Sequence, residues 1–203
     1  FGILGSALAA WRGRAAQYVL GAIALAAALL PFQVYLGRET VLTFTPPVLA
    51  AHYWVAMAIY AAVVVAVVGA NAESLSLRHV RWALGIAAVS TPIAVLLGPP
   101  AIVRYSAPIQ ATQYAAVLLA FGALLLATLV SWRRGPTRPG FRALLLAGTA
   151  LVPIVVALMR QRIVHPDSTI ATAHPVAAVL ALLAVFGAAI LAFRGLSRTD
   201  PAV

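Results

Sequence analysis

The stretch "IATAHPVAAVLALLAVFGAAILAF" (Ile170–Phe193) carries no charged side chain along its whole length. A helix rises about 1.5 Å per residue, so about 20 apolar residues cross the hydrocarbon core of a bilayer. Read alone, the segment is a spanning helix. Near its start stands one imidazole, His174, followed by Pro175. The proline is expected at the beginning of the helix, where its missing N–H costs least.

The rest of the chain extends this reading. Of 203 residues, 64% are hydrophobic and 9% charged, with a mean hydropathy of +1.01. A soluble domain is about 45–50% apolar and about 25% charged. Six apolar runs reach span length, roughly 15–36, 48–70, 80–98, 108–131, 141–159 and 169–193. A β-barrel would show short alternating segments instead. The expected fold is all-α: a single membrane domain over 1–203 with six transmembrane helices, whose short loops make successive helices antiparallel neighbours. No cleavable signal peptide is expected, because the first run is of full span length.

All 14 basic residues are arginine, and the formal net charge is +10. The arginines stand in loops between apolar runs, which marks topology and lipid headgroup contact, with no nucleic-acid partner. Arg12, Arg14, Arg78, Arg81, Arg133, Arg134, Arg138, Arg142, Arg194 and Arg198 fall on one side of the spans; Arg38, Arg104, Arg160 and Arg162 fall on the other. The richer side is expected to be cytoplasmic, with both termini inside and the protein in the plasma membrane. With no Cys, disulfides, thiolate metal sites and covalent haem attachment are excluded. Only Glu39, Glu73, Asp167 and Asp200 are acidic, too few for a carboxylate metal cage.

Pro31, Pro92 and Pro153 follow one another at intervals of 61 residues. The same offset lays "VLAAHYWVAMAIY" (48–60) over "IQATQYAAVLLAF" (109–121) and "IATAHPVAAVLAL" (170–182), and puts His52, Gln113 and His174 in one column. The chain therefore reads as three tandem hairpins, roughly 15–70, 76–131 and 137–193. Small residues are expected to pack them, with Gly21, Ala24, Ala27 and Ala28 in the first span and Gly85 and Ala88 in the third.

Polar residues at membrane depth face a partner or a cavity. Two neutral imidazoles at equal depth suit the axial positions of a b-type haem, making His52 and His174 the candidate iron ligands. Arg104, Arg160 and Arg162 on the outer side match haem propionates, because guanidinium pairs with carboxylate bidentately. Gln113 is placed to hydrogen-bond near the ring. A histidine near a helix end also serves simply as a headgroup-level residue hydrated by water, and copper or zinc is an alternative occupant. His165 reads as a solvated outer-loop residue and His79 as an interfacial one.

This layout resembles the haem A synthase family: tandem hairpins with haem-ligating histidines near the outer ends of even-numbered helices, where His52 and His174 stand. The resemblance covers most of the chain as architecture. It implies haem and a haem-modifying oxidoreductase activity. The family's Glu one turn before the ligand and Arg directly after it are absent here, where Leu49 and Tyr53 stand around His52. The middle copy has Gln113, and there are six spans where the family has eight. These departures favour a membrane b-type cytochrome that transfers electrons in a respiratory or redox complex, with other membrane or extracytoplasmic redox subunits as partners. The alternatives are a cofactor-free accessory subunit, the haem-modifying enzyme and a small transporter. The last is disfavoured because no span carries an acidic residue for ion coupling.

Overall fold

A computed structural model describes residues 17–43, 45–103, 107–133, 139–164 and 169–196. Among these residues the protein is all helical, with six helices: α1 (Gln17–Leu42), α2 (Pro46–Ala70), α3 (Leu77–Val103), α4 (Ala107–Arg133), α5 (Pro139–Val164) and α6 (Thr169–Leu196). All six are long and apolar enough to cross a membrane. In each, less than half of the most apolar window is buried inside the protein. Side chains such as Leu96, Val89 and Leu183 stay exposed, as expected where lipid is the solvent.

The helices run further than the apolar runs predict. Helix α1 continues through Arg38 and Glu39 to Leu42. Both charged residues are good helix formers, so charge ends the hydrocarbon span without ending the helix. Pro31, Pro153 and Pro175 lie inside helices, and Pro92 lies within α3. Pro175 departs from expectation. Helix α6 begins at Thr169, so the proline sits in its second turn and removes the N–H that would bond the Ala171 carbonyl.

The chain divides into two compact units, 1–75 and 76–203. The first is the α1–α2 hairpin. Pro46 and Pro47 open α2, where a fixed φ suits the first turn, and Thr45 before them is extended. At one end of the hairpin, Gly69 lies against Tyr18 and Val19; at the other, Gly37 lies against His52. The two glycines let the backbones approach closely, as membrane helices without a hydrophobic driving force require. Between them Val19, Ile23 and Ala66 form a buried cluster.

The second unit is a four-helix arrangement in which α3 packs on α4, α4 on α5, α5 on α6 and α6 on α3. Leu84, Leu124, Leu145 and Val185 are its most buried large side chains. A Cβ on Gly148 of α5 would touch Leu124 and Val185, and one on Gly187 of α6 would touch Leu144. Thr128 Oγ1 and Thr149 Oγ1 lie 3.1 Å apart and tie α4 to α5.

Within each unit, the glycines in close contact are Gly37, Gly69, Gly148 and Gly187, not Gly21 or Gly85. A Cβ on Gly21 or Gly85 meets nothing within 4 Å. Gly21, Ala24 and Ala28 are exposed, and α1 packs through Val19, Ile23 and Ala26. A helix apolar on every side gives no signal of which face will pack.

Candidate functional site

Among the described residues, polar side chains gather around His52 in the first unit and around His174 in the second. In the first unit His52 stands in the second turn of α2, partly buried against α1. Its Nε2 is 3.4 Å from Gln33 Nε2. A contact between two nitrogens calls for one donor and one acceptor, which the imidazole tautomer or the orientation of the amide supplies. His52 Nδ1 and Gln33 Oε1 are both buried and have no hydrogen-bond partner in the protein. The ring also leans on Gly37, where an added Cβ would stand 3.3 Å from His52 Cε1. Gln33 and Gly37 are four residues apart on α1 and share a face, so together they form a seat for the imidazole.

In the second unit His174 stands in the second turn of α6 and lines a cavity with Thr91 and Val95 of α3, Gln113 of α4, and Val156 and Met159 of α5. Gln113 is 2% exposed and donates through Nε2 to Met159 Sδ at 3.2 Å. Thr91 is also 2% exposed, and its Oγ1 has no partner in the protein. A buried hydroxyl left unpaired costs about 1–3 kcal/mol. The Nδ1 of His174 is buried as well. The remaining wall is aliphatic, from Ala94, Val117, Val152, Val155 and Ala181. Two helix-interior prolines adjoin the cavity: Pro92 follows Thr91, and Pro153 follows Val152. Each lacks the N–H that would bond the carbonyl four residues before it.

Of the site residues expected from sequence, the structure brings Gln113 and His174 to one cavity. His52 lies in the other unit. Arg160 and Arg162 fall in the last two turns of α5, while Arg104, His165 and Asp167 lie outside the described residues. Sequence reading passed over Gln33 and Thr91. For Gln33 a signal existed: Gln33 and Gly37 lie about as far before the α1–α2 loop as His52 lies after it, which is where an antiparallel hairpin brings residues face to face. Thr91 carries no such mark beyond its place beside an internal proline.

His79 has a structural task. Its Nδ1 accepts the backbone N–H of Ser76 at 3.1 Å and lies 3.0 Å from Ser76 Oγ. Ser76 precedes α3, so the imidazole makes the return half of a capping box, the bond to the Ser76 N–H usually made by Glu or Gln. On α4 and α5, Trp132 and Arg142 form a cation–π contact, with the guanidinium 5.4 Å from the ring centroid.

Comparison with known proteins adds nothing to these observations: no family model, no curated protein and no solved structure matches the chain.

Proposed function

We propose that the chain is an integral membrane haem protein of the b-type cytochrome kind, serving electron transfer in the plasma membrane, with His52 and His174 as axial ligands. The observation that carries this reading is a pair of partly buried imidazoles, each in the second turn of a long apolar helix. The donor chemistry fits: neutral imidazole is a good ligand for haem iron, and His52 Nδ1 is buried with no protein partner. The interior volume of the second unit does not fit. The cavity beside His174 measures about 20 Å³, room for about one water at about 10–15 Å³ each.

Bound haem supplies a one-electron couple. The chain's own part is to hold and orient imidazole. Gln33 and Gly37 seat the His52 ring, and Gln113 shares the cavity of His174. Arg104, Arg160 and Arg162 are the groups assigned to propionate carboxylates. The tandem repeat is part of the proposal and has two supports. Pro31, Pro92 and Pro153 all fall inside odd-numbered helices, and His52, Gln113 and His174 all fall in the second turn of even-numbered ones. The placement of the histidines is what relates the chain to the haem A synthase layout. A cytoplasmic position for both termini follows from the arginine bias.

Protein purified from haem-replete cells should show a reducible Soret band and α band, lost in His52→Ala and in His174→Ala. A colourless, fully folded preparation refutes the reading. The water-sized cavity favours one alternative, a cofactor-free accessory subunit, which predicts that colourless protein together with co-purification of a larger membrane complex.

A further inference from the structure

The geometry points to a second kind of site: the cavity of the four-helix unit binds a single water molecule, held by Thr91, Gln113 and His174. A buried water needs about 10–15 Å³ and two to four polar partners. The cavity has about 20 Å³, and three polar side chains from three different helices line it. Every other wall position is aliphatic except Met159, whose sulfur already accepts from Gln113.

Thr91 is the decisive residue. A threonine inside a helix ordinarily turns its hydroxyl back to the carbonyl four residues earlier. Thr112, Thr128 and Thr149 all do so, at 2.8, 2.8 and 2.7 Å. Thr91 does not; its Oγ1 is buried, has no protein partner and belongs to a side chain lining the cavity. Gln113 commits its amide nitrogen to Met159, which leaves its Oε1 as an acceptor. A water donating to Gln113 Oε1, exchanging a hydrogen bond with the Thr91 hydroxyl and meeting one His174 ring nitrogen uses all three groups. The aliphatic wall disfavours a charged occupant.

The water makes Thr91 a positioning residue for His174, since it links the ring to α3 and sets which nitrogen carries the proton. The inference does not depend on haem.

The test uses the full chain, isotopically labelled, in lipid bilayers. In the wild type, solid-state NMR should show magnetisation transfer from water to the Thr91 side chain and to the His174 ring. Thr91→Val, nearly the same shape without the hydroxyl, should lose the transfer to His174, shift its ring ¹⁵N resonances and lower the thermal midpoint. Thr91→Ser should keep the transfer. Absence of water transfer in the wild type overturns the inference even if the valine variant fails to fold. A higher midpoint in Thr91→Val with unchanged His174 resonances also overturns it, because the hydroxyl was then merely unsatisfied.

Discussion

Replacing Gly69 by Ala asks whether the first hairpin is held by close backbone approach. A Cβ on Gly69 would fall 2.5 Å from Val19 Cγ2 and 2.6 Å from Tyr18 Cε2. Val19 is 2% exposed, so it has no open space to turn into. Tyr18 reaches Gly69 through its hydroxyl, which lies 3.4 Å from the Gly69 carbonyl oxygen, and moving the ring strains that contact as well. Overpacking of this kind costs about 1–3 kcal/mol. Alanine returns about 0.5–1 kcal/mol over glycine inside a helix. That return is smaller at Gly69, one residue from the end of α2. The expected net loss is about 1–2 kcal/mol. Gly21→Ala is the matched control on the same hairpin, because a Cβ there meets nothing within 4 Å. It should gain about 0.5–1 kcal/mol from propensity alone. For a chain of this length 1 kcal/mol moves Tm by about 2–4 °C. Thermal unfolding in one lipid or detergent system, with helix content checked by circular dichroism, should therefore place the two variants on opposite sides of the wild type. Gly69→Ala at or above the wild-type Tm, with Gly21→Ala showing its usual gain, refutes the account. Hairpin one would then not be joined through the Gly69–Val19 approach.

Two further outcomes test local features. His79→Ala removes the acceptor of the Ser76 N–H and should destabilise the start of α3 by about 0.5–2 kcal/mol, seen as faster amide exchange there, while His79→Gln should restore protection. The Trp132–Arg142 contact should give a coupling of about 0.5–1 kcal/mol in a double-mutant cycle of unfolding free energies, because Trp132 is largely exposed; a value of zero removes it as a stabilising link between α4 and α5.

What was legible in the sequence follows from the solvent. A bilayer demands about 20 apolar residues per crossing, and that demand shows in runs such as 170–193 without any knowledge of packing. Helix ends were less legible, because Arg38 and Glu39 leave the hydrocarbon without leaving the helix. Packing faces were not legible at all. Gly21 and Gly69 look alike in sequence, and within the first hairpin only the second meets the facing helix. At the polar clusters, type and depth drew attention to His52, Gln113 and His174. The partners beside them, Gln33, Gly37 and Thr91, lie on other helices, and their roles depend on the register in which the helices pack. That register is not written in composition.

The threonine pair joining α4 and α5 has an arithmetic of its own. Thr128 Oγ1 lies within hydrogen-bond reach of the Leu124 carbonyl, Thr149 Oγ1 of the Leu145 carbonyl, and the two hydroxyls of each other. That makes three contacts for two hydrogens, since each hydroxyl donates once. At any instant one of the three goes without a proton, and either threonine can donate across the helix pair. The link between these helices therefore has no fixed direction: whichever hydroxyl donates across, its own backbone carbonyl gives up that hydrogen bond while the other threonine keeps its own.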